Sequence, residues 1–124
     1  MKQSLLLSLI LAVALAAPAA AGTVAYKVDG APYEGFFVSP AADAPFVLLV
    51  HDWDGLTDYE IKRARMLADM GYAVFAADLF GKGVRPTADS DKRRLTGELY
   101  KNRQKMRELL QGALQTARSR GADT

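Results

Sequence analysis

The chain has 124 residues, of which 50% are hydrophobic and 24% are charged, with a formal net charge of +2. These values are typical of one globular domain and exclude a disordered polymer. The sequence contains no cysteine, which excludes disulfides, thiolate metal ligands and a thiol nucleophile within these residues.

Residues 1–21 have the layout of a secretory signal peptide. A positively charged start leads into an apolar run from Leu5 to Ala16, and the small residues Ala19–Ala21 precede a cleavage site expected before Gly22. A retained membrane anchor is the alternative, but the run is shorter than the roughly 20 residues that span a bilayer. We therefore expect an exported protein, periplasmic or secreted, with no membrane contact after cleavage and with residues 22–124 as its domain.

A β-hairpin is predicted at the start of this domain. Two strand-like runs, Thr23–Val28 and Tyr33–Val38, flank the turn signal Asp29-Gly30. Pro32 and Gly35 are unfavourable within a strand and weaken the second run.

A βαβ unit follows the hairpin. Phe46–Val50 is a continuous apolar run, typical of a strand buried on both faces. Thr57 and Glu60 have capping-box spacing and begin a helix that Gly71 ends. Tyr72–Ala77 is a second buried strand, and the short connections predict that the two strands pair in parallel.

A long C-terminal helix is predicted from about Asp89 to Gly121, with apolar residues repeating at three and four positions. Gly97 and Gly112 interrupt this pattern, so we expect a break or kink at one of them. The elements together predict an α/β fold in which an antiparallel hairpin joins a parallel sheet covered by helices.

The helical region is basic. Lys92–Arg120 contains nine basic residues and two acidic ones. A nucleic-acid surface is one interpretation, with an affinity that falls steeply with salt. A solvated helix face that meets the acidic front half is the interpretation we favour, so we expect no nucleic-acid partner.

Two segments should form a ligand site, because ligands of open α/β sheets bind beyond the carboxyl ends of the parallel strands. These segments are His51–Gly55 and Asp78–Arg85. The only histidine, His51, comes first in the chain, whereas the histidine of a hydrolase triad comes last, so a structural role is favoured. We expect no metal, because no second ligand cluster supports the acidic residues beside His51, and no cofactor.

Several other residues of these segments have two interpretations. The carboxylate of Asp52 has a functional or a capping role, and the backbone N–H of Trp53 is a candidate donor to an oxyanion. Lys82 and Arg85 are candidates for binding an anionic substrate, or are solvated loop charges. Asp78 is expected to hold its loop in place rather than to react.

Four motifs occur here in a fairly specific order. They are Val50-His51-Asp52-Trp53-Asp54-Gly55-Leu56, Arg63-Ala64-Arg65-Met66-Leu67-Ala68, Gly71-Tyr72, and Ala77-Asp78-Leu79-Phe80-Gly81-Lys82-Gly83. With these motifs, residues 47–83 resemble the dienelactone hydrolase family of α/β-hydrolases. The looser match runs from about Tyr26 to the C-terminus. The resemblance implies a partial α/β-hydrolase sheet that corresponds to the first half of the family's domain.

The resemblance also implies site residues. Asp52 falls where the family has an acidic residue that contacts the resting nucleophile, and Trp53 falls where a backbone N–H contributes to the oxyanion hole. Lys82 falls near a basic residue that binds the substrate carboxylate, although lysine lacks the bidentate geometry of arginine. His51 and Arg85 complete the substrate-binding candidates.

The nucleophile of this family is usually a cysteine in a Gly-x-Cys-x-Gly elbow on the next strand, which would lie beyond Thr124. The mature serines Ser39, Ser90 and Ser119 have no such setting. We therefore expect a fragment of a carboxylic ester or lactone hydrolase that lacks the triad and is inactive alone.

The alternative is a non-catalytic exported binding or interaction protein built on the front half of a hydrolase. Such a protein needs a partner over the open edge of its last strand and over the leucine stripe of its final helix. The open sheet edge would also allow the chain to associate with itself.

Overall fold

The computed structural model describes residues 20–124. Its elements are β1 (Ala20–Val28), β2 (Ala31–Ser39), β3 (Phe46–Val50), α1 (Asp58–Asp69), β4 (Ala73–Ala77), α2 (Asp89–Lys101) and α3 (Arg103–Ser119). The predicted signal peptide lies outside the described residues except for Ala20 and Ala21, which begin β1. None of the described helices has the length and hydropathy needed to cross a membrane.

The four strands form one sheet in the order β1-β2-β4-β3. β1 and β2 form the antiparallel hairpin, β2 and β4 are antiparallel, and β3 and β4 are parallel with Val50 opposite Ala77. The predicted mixed α/β fold is confirmed. The prediction that the last strand has an open edge is wrong, because β4 lies between β2 and β3, and the outer edge of the parallel part belongs to β3.

Helices pack on both faces of the sheet and bury β4 completely. Val74 and Ala76 lie in a core cluster with Ala64 and Ala68 of α1. The alternate β4 side chains, such as Phe75, lie in a second cluster with apolar residues of α3. Because successive strand residues point to opposite faces, the continuous apolar sequence of β4 supplies both cores.

The hairpin turn follows its sequence signal, and the second strand is longer than expected. Asp29-Gly30 has φ angles of 49° and 76°, the left-handed pair that a two-residue hairpin turn requires. β2 runs through both Pro32 and Gly35. A Cβ on Gly35 would lie 2.6 Å from Cζ of Phe75, so the glycine allows this ring to pack against the strand.

The start of α1 confirms the predicted capping box. The backbone N–H of Tyr59 donates to Oγ1 of Thr57 at 3.3 Å, and the N–H of Thr57 donates to Oε2 of Glu60 at 2.8 Å. Gly71 follows the helix with a φ of +102°. This local chemistry sets where the chain leaves the loop after β3 and enters the crossover helix.

The C-terminal helix divides at Asn102, so the prediction of a break at Gly97 or Gly112 is wrong. Asn102 has φ −117° and ψ 77°, and its Oδ1 accepts from the N–H of Lys105 at 3.0 Å as the N-cap of α3. Gly112 instead permits a close approach, since a Cβ there would lie 2.5 Å from Cγ2 of Val28.

The leucine stripe of the final helix is largely covered within the chain. Leu109, Ala113 and Ala117 of α3 are buried against the sheet. α2 has no fully buried residue, and its Leu95 and Leu99 are half-buried. The expectation that a partner must cover this stripe is therefore wrong for α3.

Candidate functional site

The two predicted segments meet at one end of the sheet. β3 and β4 are parallel and end together, so the loops after Val50 and Ala77 are neighbours. A cavity of about 330 Å³ lies there. Its walls are formed by Val50, His51, Asp52, Trp53, Leu79 and Phe80 from the strand ends and by Thr96, Leu99, Tyr100 and Met106 from the helices. This position agrees with the rule for open α/β sheets.

His51 joins the two loops through both ring nitrogens. Its Nε2 accepts the backbone N–H of Leu79 at 3.0 Å, so Nδ1 carries the proton and donates to the carbonyl oxygen of Asp52 at 2.7 Å. Burial lowers the pKa of His51, and the hydrogen bond to the Asp52 carbonyl opposes that shift. Neither nitrogen is available to a substrate, so His51 meets the cavity only through its ring carbons.

Asp78 organises the second loop from a fully buried position. Its Oδ1 accepts the N–H groups of Phe80 and Gly81 at 3.1 and 3.0 Å, and its Oδ2 accepts the N–H of Glu34 at 3.1 Å. Arg85 Nη1 lies 3.5 Å from Oδ1. The expectation that Asp78 holds its loop agrees with these contacts.

Tyr26 adds a further link between β1 and the Asp78 backbone. Its hydroxyl accepts the N–H of Asp78 at 3.2 Å and donates to the Asp78 carbonyl at 3.1 Å. Burial raises the pKa of the phenol well above its usual value. The residue that ends β4 is thus held by both its side chain and its backbone.

Asp52 and Trp53 are the exposed part of the first loop. The carboxylate of Asp52 accepts one backbone N–H, from Asp54 at 3.1 Å, and forms no ion pair within residues 20–124. The indole of Trp53 is 38% exposed. Within the same residues its backbone N–H donates no hydrogen bond, so this donor is free to meet a ligand.

Lys82 and Arg85 point away from this cavity. Nζ of Lys82 lies 3.8 Å from Oε2 of Glu34, and the lysine is largely exposed. Nη1 of Arg85 donates to the carbonyl of Val84 at 2.8 Å besides its ion pair with Asp78. Neither side chain lines the cavity, and their role in binding substrate stays a prediction.

Lys92 of α2 is the cation that reaches the first loop. Its Nζ lies 2.7 Å from Oδ1 of Asp54 and 4.9 Å from the centre of the Trp53 ring. The hydrogen bond that the Lys92 ammonium donates to the Asp54 carboxylate raises the pKa of Lys92. The ammonium therefore joins α2 to the loop that carries Trp53, through an ion pair and a cation–π contact.

Comparison with known proteins decides the family. The sequence model described as the Dienelactone hydrolase family matches residues 33–124. The chain belongs to the dienelactone hydrolase family. The comparison with curated proteins gave no match.

Two solved structures of dienelactone hydrolase type share the fold. The protein titled m3DLH is 27% identical with a TM-score of 0.78, and the match covers 86% of this chain and 46% of that one. A dienelactone hydrolase-like promiscuous phosphotriesterase, P91, from metagenomic libraries is 27% identical with a TM-score of 0.75, covering 85% and 45%. This chain thus spans less than half the length of these two proteins.

The sequence patterns missed the part of the cavity wall that α2 supplies. Thr96, Leu99 and Tyr100 line the cavity, but the sequence shows only an amphipathic helix with a basic face. The sequence pattern assigns Lys92 to that solvated face. The missed signal was Asn102, because recognising it as a cap would have separated α2 from α3 and suggested a helix free to cover the strand ends.

Proposed function

We propose that this member of the dienelactone hydrolase family contributes the oxyanion-binding side of a carboxylic ester or lactone hydrolase site. The observation that carries this proposal is the free backbone N–H of Trp53 beside a cavity at the carboxyl end of β3. An N–H already fixed in direction stabilises a developing oxyanion without reorganising during the reaction. Asp52, beside it, would contact the nucleophile in its resting state.

The nucleophile of this hydrolase would come from a further strand added beside β3. None of Ser39, Ser90 and Ser119 lines the cavity, and the sequence has no cysteine. A parallel bridge between Pro45 and Asp123 already places the chain after α3 beside the start of β3. A strand continuing from that bridge would end next to Asp52, where an elbow could present its nucleophile.

The nucleotide sequence after the codon for Thr124 tests this proposal. Read in all three frames, it should encode a Gly-x-Cys-x-Gly or Gly-x-Ser-x-Gly elbow after a short apolar run. Its absence from the following few hundred nucleotides would refute the hydrolase proposal.

An esterase assay on the purified 124-residue chain tests the same proposal from the other side. With p-nitrophenyl acetate we expect hydrolysis no faster than in a matched buffer blank, because no complete triad lies in the chain. Turnover that is lost in Ser39→Ala, Ser90→Ala or Ser119→Ala would show that the chain carries its own nucleophile and would contradict this assignment.

A non-catalytic interaction protein is the second candidate, and one observation favours it. The outer edge of β3 has no neighbouring strand within residues 20–124 apart from the bridge at Pro45, and Val50 at its end is 48% exposed. Unpaired strand edges promote association between chains. Light scattering after size exclusion checks this, since a monomer across a wide concentration range would argue against association through the edge.

Export is likewise part of the proposal. Cleavage before Gly22 would remove Ala20 and Ala21 from β1, where they pair with Ser39 and Val38, and would leave the rest of the hairpin intact. Expression of the full chain in a bacterium followed by intact mass measurement should give a periplasmic product that begins at Gly22. A cytoplasmic product with residues 1–21 retained would refute the export proposal.

A further inference from the structure

The cations that could recognise an anionic substrate are engaged outside the cavity. Lys82 pairs with Glu34, and Arg85 pairs with the fully buried Asp78. Arg85 contributes instead to a separate cleft beside β2 and the start of α1. Releasing Arg85 toward a ligand would leave the Asp78 carboxylate buried without its counter-charge, which is strongly unfavourable.

The cavity wall itself carries one negative charge and no positive one. Within the described part of the chain, no lysine or arginine lines the cavity, and its one carboxylate belongs to Asp52. The lowered pKa of His51 keeps that ring neutral near pH 7. Most of the remaining wall is apolar, including Leu79, Leu99 and Met106.

Lys92 does not reverse this charge balance. Its ammonium contacts the Asp54 carboxylate at 2.7 Å and covers the Trp53 ring. The pair is neutral as a unit, and the ring face that could attract a cationic ligand is already occupied. An anionic ligand would be repelled by the Asp52 carboxylate in the cavity wall, whereas Lys105 lines a neighbouring pocket and not this cavity.

Thr96 adds no polar contact to this wall. The residue lines the cavity, but its Oγ1 has almost no solvent-accessible area, so a ligand in the cavity meets the remainder of the side chain. The cavity of about 330 Å³ is at the small end of the range for ligand sites.

We propose that this cavity binds the uncharged, apolar half of a small ester, such as a phenyl or short alkyl group, and disfavours anionic lactones and carboxylates. This inference rests on the proposed hydrolase function for its biological meaning, but the binding preference can be measured without any hydrolysis.

Three probes that share a phenyl group and differ in charge test the preference for neutral ligands on the unmodified chain. Phenylacetamide is neutral, phenylacetate is anionic and phenethylammonium is cationic. Binding is followed by calorimetry and by emission of Trp53, the only tryptophan of the chain and part of the cavity wall. We expect phenylacetamide to bind at least about tenfold more tightly than phenylacetate, and phenethylammonium to bind more tightly than phenylacetate, because the Asp52 carboxylate repels the anion and attracts the cation. Phenylacetate binding as tightly as the amide, or no binding of the amide, would overturn the proposal.

Two variants identify the group responsible. Asp52→Asn should strengthen the binding of phenylacetate relative to that of phenylacetamide, whereas Asp43→Asn, an exposed position in the loop before β3, should change neither affinity. An unchanged phenylacetate affinity in Asp52→Asn would contradict the electrostatic argument.

The outcomes also separate this inference from the proposed function. Amide binding with no elbow encoded downstream would leave the neutral site standing and remove the hydrolase assignment. Once a complete enzyme is assembled, faster turnover of anionic esters than of neutral ones would overturn the inference and leave the hydrolase assignment standing.

Discussion

The two loops that form the cavity are built in opposite ways. The loop after β4 is organised around Asp78, which is fully buried and accepts three backbone N–H groups. In the loop after β3, Asp52 and Trp53 are exposed, and its free groups are the Asp52 carboxylate and the Trp53 N–H. His51 joins them, since it is covalently part of the first loop and accepts a hydrogen bond from the second. One loop thus provides rigid support while the other presents groups to a ligand, a division common where function is carried by loops on a rigid scaffold.

Substitutions in the loop after β4 should lower the free energy of unfolding the most. Asp78→Ala removes the acceptor of three N–H groups and leaves Arg85 without its buried counter-charge. We expect a loss of about 3–5 kcal/mol in the free energy of unfolding, the range for breaking a buried ion pair. Urea denaturation measures it. Asp52→Ala is the matched control in the other loop and should change stability by no more than about 0.5 kcal/mol. Equal losses of stability in Asp78→Ala and Asp52→Ala would contradict the view that only the loop after β4 supports the fold.

Replacing His51 should lower the free energy of unfolding by an intermediate amount that depends on pH. His51→Ala leaves the buried N–H of Leu79 without an acceptor, which we expect to cost about 1–3 kcal/mol at pH 7.5.

The direction of the pH effect follows from the lowered pKa of His51. The unfolded chain binds a proton below about pH 6.5, whereas the folded chain resists it. The stabilisation from His51 is therefore complete above about pH 6.5 and is lost as pH falls through the folded pKa. Urea midpoints of parent and His51→Ala between pH 7.5 and 5 should converge toward acid. A constant gap would show that the ring does not titrate in this way.

In the loop after β3, loss of Lys92 should change the fluorescence of Trp53 more than the stability of the protein. Lys92→Gln removes the ion pair with Asp54 and the cation over the Trp53 ring. We expect the emission maximum and the acrylamide quenching of this single tryptophan to change. Lys101→Gln, the same substitution at the other end of α2, should leave both unchanged. An indistinguishable response from the two variants would mean that Lys92 does not order the loop.

Much of the local structure follows from short sequence signals. Asp29-Gly30 supplies the left-handed turn, and Thr57 with Glu60 supplies the capping box, each through groups a few residues apart. The apolar runs of β3 and β4 indicate burial on both faces. With the rule for parallel sheets, they also place Asp52 and Trp53 at the site-forming end.

The tertiary structure decided the features that depend on distant partners. It places β4 inside the sheet and leaves the outer edge to β3, because pairing with β2 is not encoded in local periodicity. It turns Lys82 and Arg85 toward Glu34 and Asp78 and brings Lys92 to Trp53. Local signals, ordered along the chain, predict most of the elements and the family, but they do not predict the division of the last helix at Asn102. Which charges face the cavity was decided only by packing, because a flexible charged side chain takes the partner that folding brings within reach.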